Sequence, residues 1–414
     1  MKKINLALIL AMLLIFTACE DYVTELDPYI DRIEDSKLND VTTLETQLNG
    51  LHGVVADVAS YSGCITDGLS DQLWFEMGKT EGASYQSFHE VETGEMLLDH
   101  TQSTDIYNAW QEARKLSEVL IDRINNKMDF SSGQYDELKQ RSLFFANFFA
   151  AYAHFQLGAH FAKNPTTPGA TVNDSPFKPQ AEMFADATTW ANKALEVAAN
   201  NEQQKRMVNT FLARLNLVAK DYAKAATHAA LGLQEGDAPY ISKYKVNVAD
   251  NYYRVQAGEL RDQWGIAQKI VNYVVNDPEE EKRISLMQKT YSGSTYFIQT
   301  KYVKDGDNVS PMRLFSWQEN NLILAELALR GTTAGNVNEL VNAVRASHGM
   351  TSTANITTID ELMVEREKEL FCEGHRLTDQ LRTGTFHLQS DHLWRYLPIP
   401  ELEKILNPNF DHND

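Results

Sequence analysis

The sequence predicts a mainly α protein, an irregular helical-repeat scaffold that carries two loop-rich insertions. Three observations point there. Long stretches space their apolar residues by three and four, helix–turn–helix pairs recur without a fixed period, and segments 60–100 and 236–312 switch to dense aromatics, glycines and short alternating runs.

The first element stands outside the scaffold. Met1-Lys2-Lys3 is basic, and residues 4–15 form an apolar run that is too short to span a bilayer, which takes roughly 18–20 such residues. The run ends at Phe16-Thr17-Ala18-Cys19, which resembles the lipobox of bacterial lipoproteins. Residues 1–18 therefore read as a lipoprotein signal peptide and Cys19 as the lipidated residue. An acidic tether over 19–40 opens with Glu20-Asp21, and a single domain is expected over 41–414. Cys64 and Cys372 are too isolated to form a disulfide framework and read as buried free thiols. With 38 Lys+Arg against 57 Asp+Glu the net charge is −19, and no basic stripe is present. Nucleic acid is thereby excluded as a partner.

The scaffold helices follow in order. Residues 105–127 align Ile106, Trp110, Ala113, Leu116, Leu120 and Ile124 along one stripe. Residues 136–162 are apolar almost all round (Leu143, Phe145, Phe148, Phe149, Tyr152, Phe155), which predicts a central, buried helix ending at Lys163-Asn164-Pro165. Residues 181–235 read as two antiparallel helix pairs. Within them FLARLNLVAKDYAKAATHAALGL (211–233) resembles a tetratricopeptide unit, with its turn at Lys220-Asp221 and small residues where the helices meet. A second pair is expected from LILAELALRG (322–331) and NVNELVNAVRASHG (336–349).

Chemistry-bearing motifs are absent: no Gly-rich phosphate loop, G-x-S-x-G, H-E-x-x-H or CxxC occurs. His154 and His160 lie six apart on one helix and read as core or surface residues. His387 and His392 lack a local partner for a metal, and Asp305-Gly306-Asp307-Asn308 reads as a turn. No catalytic residue, metal ligand or cofactor is assigned. What remains is aromatic: Trp74, Phe75 and Tyr85 in one insertion, with Tyr291 and Tyr296 in the other, form a candidate platform for a sugar face. A binding role leads. A helical glycoside-acting enzyme and a helical-repeat interaction scaffold stay open beside it.

The densest polar cluster is EREKELFCEGHRLTDQLRTG (365–384). On a helix from Ile359, Arg366 falls within the apolar stripe of Leu362 and Leu370, so it must be paired. Glu369 and Glu373 are its expected partners, and Gly374 the expected helix stop. The pattern E-R-x-x-E-L-x-x-E-G-H-R-x-x-D-x-x-R-x-G is carried by Glu365, Arg366, Glu369, Leu370, Glu373, Gly374, His375, Arg376, Asp379, Arg382 and Gly384. It resembles the C-terminal signature of SusD/RagB-like outer-membrane lipoproteins. YLPIPELEKILNPNF (396–410), Asn342 with Arg345, NDPEEEKR (276–283) and TKY (300–302) resemble further landmarks of that family, in the same order.

The resemblance implies a SusD-like fold built on tetratricopeptide-like helices. It also implies a non-enzymatic, lipid-anchored protein on the exterior of a Gram-negative outer membrane. Such a protein captures a glycan, or sometimes a peptide, and passes it to a SusC-like TonB-dependent β-barrel transporter. On this reading the 365–384 signature is structural, and the ligand meets the aromatic insertions.

Overall fold

The computed structural model describes residues 34–246 and 249–410. The signal peptide, Cys19 and most of the tether lie outside the described residues. Within the stretch expected as tether, Asp35–Asn39 form a short 3-10 turn, and Asp40 caps the next one by accepting from Thr42 N–H at 2.9 Å.

Helix α1 spans Leu44–Leu69 and corrects one expectation, because residues 60–69 were assigned to a loop-rich insertion. Their Ser, Thr and Gly content reads as loop. Inside the helix, however, the Ser60 and Thr66 hydroxyls donate to the carbonyls of Asp57 and Ser62 one turn back (3.1 and 2.9 Å). That removes the polar competition which would otherwise break the helix. After α1 come strand β1 (Leu73–Trp74), helix α2 (Gln86–Thr93) and helix α3 (Thr101–Asn126). α3 starts before the apolar stripe does, since His100 Nδ1 accepts from Ser103 N–H at 3.2 Å. Its stripe is buried except at Leu116, which is 38% exposed.

α4 (Asp136–His160) is buried nearly all round, as its composition predicts. It packs against α3 and most extensively against α5 (Gln180–Ala198), whose Ala187, Ala191 and Ala194 are fully buried and let the two axes approach. α6 (Glu202–Val218) and α7 (Tyr222–Ala229) complete the run. The expected two pairs within 181–235 are therefore three helices, and the first partner is α4 itself. The α6–α7 turn falls at Lys220, in left-handed backbone, and Asp221 caps α7 by accepting from Lys224 N–H at 3.1 Å.

The second insertion folds as small sheets around helix α8 (Tyr252–Gln256). β5 (Tyr240–Lys245) pairs with β10 (Asn308–Phe315), which pairs with β9 (Lys304–Asp305). β6 (Gly265–Ile266) pairs with β1, and β7 (Leu286–Tyr291) forms a hairpin with β8 (Ser294–Gln299). Gly306-Asp307 is the β9–β10 turn, as read from the sequence. Helix α9 (Gln268–Asn276) lies between β6 and β7. Helices α10 (Trp317–Leu329) and α11 (Val337–Ser347) form the second predicted pair. They are followed by α12 (Ile359–Glu369), α13 (Arg376–Thr383), β11 (Leu397–Pro398) and α14 (Glu401–Leu406). β11 pairs in parallel with β2 (Phe161–Ala162) at the end of α4. One core cluster runs from Leu44 to Phe410, and a smaller one joins α6, α7 and α10. Among the described residues no helix is long and apolar enough to cross a membrane.

Candidate functional site

Pairing of β1 with β6 brings the two insertions together, Trp74 facing Gly265 and Leu73 facing Ile266. The indole lies directly over Gly265: a Cβ there would sit 2.5 Å from the ring, so only glycine admits it. Trp74 Nε1–H donates to the Ile266 carbonyl at 2.9 Å, which fixes the ring plane while leaving part of it open. Around it opens a hollow of about 310 Å³, bordered by Glu76, Gln268, Thr295, Tyr296 and Phe297. A partly exposed indole and phenyl ring, with a carboxylate, an amide and a hydroxyl at the edge, can hold a sugar ring by stacking and hydrogen bonds.

The predicted platform is thereby corrected in part. Trp74 lines the hollow. Phe75 is only 3% exposed, and its ring packs edge-on against Trp264 at 5.9 Å. Tyr296 is 2% exposed, its hydroxyl donating to Asp262 at 2.6 Å and accepting from Glu81 N–H at 3.2 Å. Phe75 is thus packed into the core just past β1, and Tyr296, though at the border of the hollow, is almost wholly covered because its side of β8 points inward. Tyr85 and Tyr291 are exposed, at 48% and 41%, and neither lines the hollow. The residue missed is Phe297, Tyr296's outward-facing neighbour. The alternation in TYFIQ was the signal that could have found it. Behind the hollow, Lys289 Nζ bridges Asp262 (2.5 Å) and Glu81 (3.3 Å) and ties the β7–β8 hairpin to the first insertion.

The 365–384 signature lies apart, in a buried ion-pair network. α12 ends at Glu369 rather than Gly374, and Cys372 and Gly374 adopt φ +55° and +73°. The chain reverses there, so α13 returns against α12. Arg366 consequently pairs with Asp379 (Nε to Oδ2 2.9 Å), not with Glu369 or Glu373 as helical spacing suggested. Asp379 also accepts from Arg382 at 2.8 Å, and Arg382 reaches Glu326 of α10 at 2.5 and 2.7 Å. Glu369 takes Arg313 (3.0 Å) and His348 (2.8 Å). Glu373 takes Arg313 (2.9 Å) and Lys301 (2.7 Å). Glu365 takes Arg283 at 2.7 Å, and Arg376 is bidentate to Asp71 at 2.8 and 3.1 Å. The middle landmarks of the sequence converge here too: Glu280 of NDPEEEKR accepts from Arg283, Arg345 and Lys368.

Charge placement follows. Burial by itself would raise Glu280 and Glu369, but their cations overcome it and hold both at about 2. Burial raises Asp67 to about 7 although the Tyr253 hydroxyl donates to it at 2.6 Å. It lowers His160 to about 4. Cys64 and Cys372 are buried free thiols pushed well up by desolvation. His154 and His160 belong to the core. Among the described residues no group of three or more His, Cys, Asp or Glu is arranged to hold a metal ion.

No family model matches the chain, and no curated protein does. Solved structures do. A SusD superfamily protein from Bacteroides vulgatus superposes over 90% of this chain and 98% of its own, with TM-score 0.71 at 17% identity. Surface glycan-binding protein A from Bacteroides thetaiotaomicron, in complex with laminarihexaose, covers 89% of this chain and 98% of its own, with TM-score 0.66 at 14% identity. Its namesake from Bacteroides fluxus covers 89% and 96%, with TM-score 0.69 at 16% identity. With nearly the whole of both chains in common, this protein has the SusD-like fold.

Proposed function

We propose that the protein is a non-catalytic glycan-binding protein of the cell surface that captures an oligosaccharide at the Trp74 hollow. It is anchored by lipid at Cys19 and delivers its ligand to a SusC-like TonB-dependent barrel. The observation that carries the reading is the half-open Trp74 ring, locked over Gly265 beside Phe297, within a fold shared with a protein solved in complex with laminarihexaose. The predicted lipobox and the acidic residues after Cys19 support the anchor.

Calorimetric titration of the mature chain with neutral oligosaccharides, laminari-oligosaccharides among them, tests the reading. Trp74→Ala should weaken binding at least about fivefold, the order expected for one lost stacking ring. Binding untouched by that change would remove the hollow from the mechanism, and turnover of any ligand would end the non-catalytic reading. Protein recovered from cells should begin at an acylated Cys19 and bring the barrel with it. An unmodified upstream leader would refute the anchor.

A further inference from the structure

We infer that a second hollow, between the end of α7 and the pair α10–α11, docks a basic, aliphatic segment of a partner polypeptide. The hollow encloses about 500 Å³, floored by Leu324, Leu340 and Ala343. It differs in kind from the Trp74 hollow. No aromatic ring lines it, so a sugar face finds nothing to stack on, whereas a Leu, Ile or Val side chain finds a matching aliphatic floor. Leu231, next in the chain to Ala230 of the lining, stands 58% exposed. Asn321, itself buried, and the exposed Asn336 also line it, and with the backbone at Gly335 they offer the donors and acceptors that a peptide backbone needs.

Charge decides the partner's sign. Glu235 and Glu339 border the mouth and are exposed. Glu339 accepts only a neutral bond from Asn336 Nδ2 at 2.8 Å. No Lys or Arg lines the hollow, and among the described residues neither carboxylate is in an ion pair. An apolar anchor flanked by Lys or Arg would satisfy floor and rim together. A second copy is disfavoured as occupant, because each chain carries a net charge of −19 and two acidic mouths would meet.

Fluorescence anisotropy of the intact mature chain with a labelled Lys-Leu-Lys-Ala-Leu-Lys peptide tests this independently of the glycan reading. The peptide should bind, weaken with salt, and outcompete both Glu-Leu-Glu-Ala-Leu-Glu and Lys-Ser-Lys-Ala-Ser-Lys. Combined Glu235→Lys and Glu339→Lys should cost about tenfold in affinity, the order of two exposed pairs turned repulsive. Ala343→Phe, which fills the floor, should cost at least as much. Both variants should keep the parent melting temperature and oligosaccharide titration. The inference is overturned by absence of peptide binding, by equal binding of either control peptide, by indifference to both variants, or by competition from oligosaccharide. A concentration-dependent dimer abolished by the same variants would assign the hollow to a second copy instead.

Discussion

Asp379 holds two guanidiniums, Arg366 and Arg382, and among the described residues only Arg382 pairs with another carboxylate, Glu326. Arg366 is 2% exposed, so each partner's removal has a different consequence. Arg366→Met leaves Asp379 paired with Arg382. Asp379→Asn leaves the buried Arg366 without a counter-charge, and breaking such a pair costs about 3–5 kcal/mol. We therefore expect Asp379→Asn to fall in that range and Arg366→Met clearly below it, by urea denaturation at pH 7. Equal losses would mean that Arg382 does not share the carboxylate. An Asp379→Asn protein of unchanged stability that has lost ligand would return the signature to a binding role.

One crossing of elements governs where this network stands. The turn after α12 touches the C-terminal third of α1 backbone to backbone, and a Cβ at Gly374 would lie 2.7 Å from Gly63 Cα. The same turn is held by Tyr302, whose hydroxyl donates to the Cys372 carbonyl at 2.9 Å, and by Lys301 Nζ on the Phe371 carbonyl at 2.7 Å. Gly374→Ala meets both the close approach and the positive φ, and should destabilise by about 2–4 kcal/mol. A chemical-denaturation midpoint equal to the parent's would show that α1 and the turn can separate freely. The β7–β8 hairpin sits at the other end of the scale. Tied by Lys289 to Asp262 and Glu81, it positions Phe297, which packs with Leu286 against the edge of the core.

At the scale of the molecule the buried histidines set the acid response. Burial lowers His52 and His160 to about 4 and His375 well below its ordinary value. A histidine kept neutral when folded but protonated when unfolded contributes stability above about pH 6.5, which is lost as pH falls towards 4. Asp67 and Glu92, raised by burial to about 7, work the other way over pH 4 to 7. Asp57, also raised by burial, joins the carboxyls, but burial lowers His100, His154, His228 and His387 as well, so the histidines prevail and stability falls with acid. Glu280 and Glu369, held at about 2, keep their contribution until pH drops below about 4.5 towards 2. Urea midpoints at pH 7, 5.5 and 4.5 should decline in that order, with a shallower decline for His160→Phe. A flat series would show that these histidines are solvated.

Helical periodicity by itself determined the mainly α scaffold, the buried α4 and both helix pairs, because three-to-four spacing depends on neighbours along the chain. It also determined that Arg366 had to be paired. Tertiary structure alone decided which carboxylate pairs Arg366, since a chain reversal at Cys372–Gly374 brings Asp379 of α13 to it, while Glu369, itself fully buried, pairs with Arg313 and His348. It likewise decided that residues 60–69 stay helical, because Gly63 is met by Tyr253 and Gly374 and Gly68 by the Trp264 ring, which bury a stretch of loop-like composition. In the hollow, the local alternation of TYFIQ already marks Phe297 rather than Tyr296 as outward-facing, whereas the β1–β6 pairing, 192 residues apart at Trp74 and Ile266, selected Trp74 over Phe75. Such pairings depend on which backbones meet in space, and a local pattern carries no record of that.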